Sequence, residues 1–190
     1  MVEPFVGILT DCVRYSKDTN TVILSLKCLQ YLLRLDLASI STYRKKLGEY
    51  TLHQLSNCGL ASTQNELAQS CFKALTLLLT DRCNAIEYLD SRHEKEDEHF
   101  NDSAKLKESN QSIGQLPLNK LQMKVLVSIL HNAVTDSVHQ NATFSCIKAI
   151  SSRVYTSPEY YDLLDKILDL SVQSQKKTVR QVNGTPFLPI

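Results

Sequence analysis

The residues best suited to chemistry form an acidic, histidine-containing run near the middle of the chain. His93 and Glu94 begin like the HExxH motif, in which two histidines one helical turn apart bind the same zinc ion. The fourth position after His93 is Asp97, so the second imidazole is missing. The run belongs to the segment 91–115, where six acidic side chains accompany four basic ones. We interpret it as a solvated charge run and predict no metal site.

No other motif of catalysis or cofactor binding occurs. The chain has no GxGxxG, P-loop, GxSxG or Cys–His arrangement. Its six cysteines show no CxxC spacing, so we interpret them as buried free thiols in a reducing compartment. We therefore predict that the protein is not an enzyme and has no catalytic residue, no cofactor and no small-molecule substrate.

Two basic clusters are the candidate contacts with RNA or a partner protein. One follows the aromatic Tyr43, and the other lies at a turn that we predict over 175–177. Turns at one edge of a helical repeat protein would align such groups along RNA phosphates, and the alternative is a solubilising face. The formal net charge of the chain is only +1, which provides no bulk attraction to nucleic acid. The candidate contacts are Arg44, Lys45, Lys46, Lys176, Lys177 and Arg180.

Three stretches that contain a matching lysine repeat one helical pattern. The repeated helices are predicted over Asn20–Asp36, Asn65–Asp81 and Val138–Val154. When Lys27, Lys73 and Lys148 are superposed, a large apolar residue precedes each lysine, and a cysteine or alanine and another large apolar residue follow it. The first offset of 46 residues falls in the range of about 40–47 for helical-hairpin repeats. On one face the lysines would form a basic ladder, unless each only snorkels from an apolar stripe.

A further predicted helix precedes each repeated helix, which gives antiparallel pairs. We therefore predict an all-α fold, an α-solenoid of HEAT-like pairs with about three and a half repeats. The predicted order is hairpins one and two over 1–90, a disordered acidic insertion over 91–115, hairpin three and the start of a fourth over 116–182, and a divergent tail over 183–190. Few Gly and Pro residues, five of each, agree with helices. No apolar run has membrane length and the N-terminus lacks a secretory signal, so we expect an intracellular protein.

Apolar periodicity also predicts which residues the remaining helices bury. The third helix is predicted over Ser39–Cys58. The predicted stripes are Phe5, Ile8, Leu9 and Cys12 in the first helix, Leu118, Leu121, Val125, Ile129 and Ala133 in the fifth, and Tyr161, Leu164, Ile167 and Leu168 in the seventh.

Several segments together resemble a known family. They are Glu3–Cys12, the long helix over Asn20–Leu37, Ala149–Arg153, Pro158-Glu159 and Val172–Gln181. They are similar to segments of the giant HEAT-repeat scaffold of the small-subunit processome, the down-regulated-in-metastasis family. The likeness spans most of residues 1–182, is absent from 183–190, and is interrupted by the insertion at 91–115. We expect a fragment or a short form of such a protein.

The resemblance implies a non-catalytic scaffold of the nucleus and nucleolus. Its expected partners are processome proteins and small nucleolar ribonucleoprotein, with pre-rRNA as a further expected partner and no membrane. Its implied role is to support pre-rRNA processing and assembly of the small ribosomal subunit. The alternative is a generic helical-repeat adaptor that binds protein partners only.

Overall fold

Every secondary-structure element that the computed structural model describes, within residues 3–35, 38–80, 117–153 and 155–183, is helical. The helices are α1 (Glu3–Tyr15), α2 (Thr19–Arg34), α3 (Ala38–Ser41), α4 (Arg44–Cys58), α5 (Asn65–Thr80), α6 (Lys120–Ala133), α7 (Gln140–Ser151) and α8 (Pro158–Asn183). A 3₁₀ turn, Ser62–Gln64, precedes α5. The prediction of an all-α protein is thus confirmed. Within the described ranges no helix combines the length and hydrophobicity needed to cross a membrane.

Side-chain caps fix where several helices begin. The Asp18 carboxylate accepts hydrogen bonds from both the backbone N–H and the hydroxyl of Thr21, at 2.9 and 2.6 Å, and these bonds lower the pKa of Asp18. Asn119 and Gln122 form a reciprocal capping box at the start of α6. A side chain also caps α8, because the Ser157 hydroxyl accepts from the N–H of Tyr160 at 3.2 Å.

The helices pack as two rows. The outer row contains α1, α4, α6 and α8, each in contact with the next, and the inner row contains α2, α5 and α7 in the same relation. Each pair α1/α2, α4/α5 and α6/α7 joins the rows as a helical hairpin. Helix α5 lies at the centre, since it packs against α2, α4 and α7.

In the outer row, α6 and α8 run parallel and in register. The Lys124 ammonium contacts a carboxylate oxygen of Glu159 at 2.7 Å, and the Lys166 ammonium donates to the carbonyl of His131 at 2.6 Å. Both contacts join residues that are 35 positions apart in the sequence. The second contact lies about two helical turns beyond the first on each helix. Two antiparallel helices would not keep a constant offset.

The inner row has the same arrangement. Lys27 binds Glu66 at 2.7 Å and the Gln30 side-chain amide donates to the carbonyl of Ser70 at 3.0 Å, with offsets of 39 and 40. Between α5 and α7, contacts at offsets of 69 and 74 again indicate parallel helices. Hairpins therefore follow one another with the same orientation.

The burial pattern of the three repeated helices follows the superposition. Lys27, Lys73 and Lys148 are all exposed, and the apolar residues on either side of each lysine are buried. Those buried residues are Leu26, Leu29, Phe72, Leu75, Ile147 and Ile150. Cys28 departs from the pattern because it is exposed, whereas the matching Ala74 and Ala149 are buried. The sequence repeat thus marks equivalent faces of the inner-row helices.

The predicted buried stripes of three outer-row helices are wrong in part. In α1 the buried residues are Val6, Thr10 and Val13, whereas Phe5 and Ile8 are 50% and 62% exposed. In α6 the buried residues are Met123, Leu126, Val127, Leu130 and Ala133, whereas Leu121 and Val125 are exposed. In α8, Tyr160 and Leu163 are buried, whereas Tyr161 and Leu168 are exposed. Each of these helices carries apolar residues on two faces, so periodicity alone does not select the buried one.

Two predicted helix boundaries also differ from the structure. The third predicted helix is divided at Thr42–Tyr43 into α3 and α4, where Ser41 and Thr42 are poor helix formers. The turn predicted over 175–177 is instead part of α8, which continues to Asn183 because the sequence between contains no Gly or Pro. The insertion predicted over 91–115 lies outside the described residues, and so does the tail predicted over 183–190 apart from Asn183, which ends α8.

Candidate functional site

The open face of the inner row carries the most distinctive surface of the described part. Successive exposed positions on α2 lie three or four residues apart, which is one stripe of a helix. The stripe carries Lys27, Tyr31 and Arg34, with the Arg34 guanidinium 5.9 Å from the centre of the Tyr31 ring. The matching stripes of α5 and α7 carry Lys73 and Lys148. This face therefore combines cations with an exposed aromatic ring.

A first groove of about 250 Å³ lies between α2 and α5. It is lined by Lys27, Gln30, Tyr31, Arg34, Ser70 and Lys73. The Gln30 side chain is buried and bridges the two helices through its bond to the carbonyl of Ser70, so it fixes the floor of the groove. The cationic side chains of Lys27, Arg34 and Lys73 are exposed at the rim of the groove, where a ligand can reach them.

A second groove of about 430 Å³ lies between α5 and α7. It is lined by Arg34, Gln69, Lys73, Thr76, Leu77, Val138, Asn141, Ala142 and Ser145. Arg34 and Lys73 line both grooves, so the two grooves adjoin at these side chains. We call the two together the inner groove.

The charge of the inner row is strongly uneven. Its three helices contain four basic side chains and a single carboxylate, which is a net charge of +3. The outer-row helices, with α8 counted to residue 174, contain seven basic and seven acidic side chains and thus have no net charge. The one inner-row carboxylate, Glu66, is hydrogen-bonded to Lys27, and this bond lowers its pKa. No carboxylate is among the described residues that line the inner groove.

The three repeated lysines form a diagonal and not a straight ladder. The contact offset of about 40 places Lys27 level with Glu66, while Lys73 lies seven residues, or about 10 Å, further along α5. By the same reasoning Arg34, and not Lys27, lies level with Lys73. Lys148 lies further again along α7, since the offset between α5 and α7 is 69–74. The repeat offset of 46 residues therefore relates residues on the same face of α2 and α5, but these residues lie at different heights along the two helices.

The candidate contacts at Arg44, Lys45 and Lys46 lie elsewhere, on the edge where the inner-row helices end and α4 and α8 begin. We call this the basic edge. Arg44 is half-buried at the first residue of α4, and Lys45 and Lys46 are exposed in the same turn. Arg153, at the end of α7, donates to the carbonyl of Leu79 at 2.6 Å. Burial, with a smaller effect of the nearby Arg44, lowers the pKa of Arg153.

The second predicted cluster is not brought to this edge. Lys176, Lys177 and Arg180 belong to the final turns of α8, whose first residue is at the basic edge, and their side chains lie outside the described part. The acidic run around His93 and Glu94 also lies outside the described residues. Among the residues that the structure does describe, no three His, Cys, Asp or Glu side chains are grouped as metal ligands would be.

The described cysteines occupy different environments. All five are free thiols; Cys58, Cys71 and Cys146 are buried, Cys12 is half-buried and Cys28 is exposed on α2. Burial raises the pKa of Cys146 to about 12 and also raises the pKa of Cys71. These two buried thiols remain protonated at neutral pH. The interpretation of the cysteines as buried free thiols is confirmed for Cys58, Cys71 and Cys146, and it is wrong for the exposed Cys28 and the half-buried Cys12.

Sequence reasoning identified Lys27 and Lys73 but missed the other side chains of the inner groove. Arg34 does not occupy the repeated lysine position, and Gln69 and Asn141 belong to no motif. The signal was present in the charges, because α2 and α7 contain no acidic residue at all. The groove offers cations, side-chain amides and an apolar wall, which suit non-covalent binding of an anionic ligand. No family model and no solved structure matches the chain.

Proposed function

We propose that the chain is a non-catalytic scaffold segment, a HEAT-like α-solenoid that supports pre-rRNA processing and assembly of the small ribosomal subunit in the nucleolus. The proposal joins the sequence resemblance to the processome scaffold with the packing of the helices. Its partners are processome proteins and small nucleolar ribonucleoprotein, with pre-rRNA as a further partner.

The observation that carries the solenoid part of the proposal is the constant register between neighbouring helices. Parallel contacts recur between α2 and α5 and between α6 and α8, with the inner and outer rows kept separate. In a repeat protein each unit contacts only its neighbours, and the row of equivalent helices forms an extended binding surface. Such a surface suits a scaffold, because it offers several contacts without a catalytic centre.

The proposal is tested by affinity purification of the tagged full-length chain from nuclear extract, followed by mass spectrometry and RNA sequencing. We expect processome proteins together with pre-ribosomal RNA. Recovery of an unrelated set of proteins without RNA would overturn the processome role and favour the adaptor alternative.

The basic edge supplies a sharper test of the RNA contact. We expect Lys45→Gln/Lys46→Gln to lower the yield of pre-ribosomal RNA, because two exposed cations of one turn are removed. The matched control is Arg34→Gln/Lys73→Gln, which removes the same charge from the inner groove. An equal RNA yield from the edge variant and the unmodified chain would exclude Lys45 and Lys46 as RNA contacts.

A further inference from the structure

The inner groove is continuous across three helices. Its two parts adjoin at Arg34 and Lys73, which the parallel register of α2 and α5 brings to the same level. Helix axes in contact are about 8–10 Å apart, so the two spacings from α2 to α7 together span about 16–20 Å. An extended peptide covers that distance with about six residues, at roughly 3.3 Å each. The groove therefore has the dimensions of a site for a short extended chain.

One half of the groove is cationic. Arg34 and Lys73 face the junction, Lys27 lies at the outer end, and the only carboxylate of the inner-row helices is already bound to Lys27. An anionic ligand would thus meet two cations at the junction and no nearby carboxylate among the described lining residues. Charge complementarity of this kind fixes the register of a partner and speeds its association.

The other half of the groove has an apolar wall. Leu77, Val138 and Ala142 line it, and the exposed fraction of Val138 is 49%. Gln69 and Asn141 also line this groove, and the Gln69 amide donates to the carbonyl of Val138 at 3.4 Å. Side-chain amides both donate and accept hydrogen bonds, so they match the N–H and C=O groups of a peptide backbone.

The same arrangement fits single-stranded RNA less well. Sequence-tolerant RNA binding needs aromatic platforms for successive bases beside a basic track. Tyr31 lines the smaller part of the groove, and the described lining of the larger part contains no aromatic residue. Its apolar wall has no counterpart in a sugar–phosphate backbone.

We propose that the inner groove binds an extended, acidic segment of a partner protein, with carboxylates at Arg34 and Lys73 and one apolar side chain against Val138 and Ala142. The amide of Asn141 contacts the backbone of the segment between these two anchors. This inference goes beyond the scaffold role, because it assigns a ligand class to a particular surface whatever assembly surrounds the chain.

The test is direct binding of a labelled peptide to the purified full-length chain, measured by fluorescence anisotropy. The probe is an extended peptide of Asp and Glu residues around a single Leu. Its controls replace the acids by Asn and Gln, or the Leu by Ser. We expect saturable binding of the acidic peptide, and weaker binding of both controls.

Two matched double variants locate the site. We expect Arg34→Gln/Lys73→Gln to weaken peptide binding by about tenfold or more. Lys45→Gln/Lys46→Gln removes the same charge at the basic edge and should leave the affinity unchanged. All four side chains are exposed or in the first or last turns of helices, and circular dichroism melts establish that each variant folds. Val138→Ser provides a second test, since it removes part of the apolar wall without a change of charge.

Three results would overturn the inference. They are the absence of peptide binding, equal losses in the groove and edge variants, and tighter binding of an oligouridine RNA through Arg34 and Lys73 than of the peptide. None of them depends on processome association, which is measured separately in nuclear extract. Failure of the ligand assignment and failure of the scaffold proposal are therefore distinguishable.

Discussion

Replacement of Phe72 by alanine tests whether α5 is the central helix of the stack. Phe72 is fully buried in α5, and its ring centre lies 6.1 Å from that of His139. A buried Phe side chain removes about 150–200 Å² from water, which corresponds to roughly 4–5 kcal/mol at 25 cal/mol per Å². Because neighbouring helices collapse only partly into the vacated volume, we expect Phe72→Ala to lower the free energy of unfolding by about 3–5 kcal/mol.

The assay is urea unfolding followed by far-ultraviolet circular dichroism, with Phe144→Ala as the control. Phe144 is the same residue type on the neighbouring inner-row helix, but 39% of it is exposed. Water fills the space that its truncation leaves, so the cavity contribution is absent and the loss should be about 1–2 kcal/mol. Equal losses for the two variants would refute the placement of Phe72 in the centre of the core.

Three further predictions concern a close approach, an ion pair and the thiols. Gly48→Ala should fail to stabilise the chain, because the added Cβ would lie 3.1 Å from a backbone carbonyl oxygen just before α6. This close contact offsets the gain of about 1 kcal/mol in helix propensity. A higher urea midpoint for the variant would contradict this reasoning. The hydrogen bond from Lys124 lowers the pKa of Glu159 from its ordinary 4.5 to about 2, so this carboxylate stabilises the fold above pH 4.5 and the contribution is lost as the pH falls through 2. The melting temperatures of Glu159→Gln and the unmodified chain should therefore differ at neutral pH and converge near pH 2, and a difference that persists there would exclude the ion pair as its cause. Iodoacetamide should modify the exposed Cys28 in the native chain and spare the buried Cys71, as read by peptide mass spectrometry, unless α5 opens readily.

The helices themselves follow from local sequence, and the buried faces follow only where one face is clearly more apolar. The inner-row helices were predictable because lysine recurs between buried residues. In α6 the pattern around Leu121 and Val125 is as regular as the pattern around Met123 and Leu130, yet only the second is buried. Which face is covered depends on the neighbouring helices, and that information is not local. The same ambiguity explains the exposed Phe5 in α1.

The inner groove shows why matching faces of two helices do not predict which side chains lie next to each other. Superposition of Lys27 on Lys73 identifies equivalent faces, because the contact register and the repeat offset differ by about seven residues, which is close to two helical turns. Two turns leave the face unchanged and move the side chain by about 10 Å. The side chain that meets Lys73 is therefore Arg34, which no repeat position marks. A surface made by adjacent helices is set by their relative translation, so tests of this groove should vary Arg34 and Lys73 as a pair, and not the three repeated lysines.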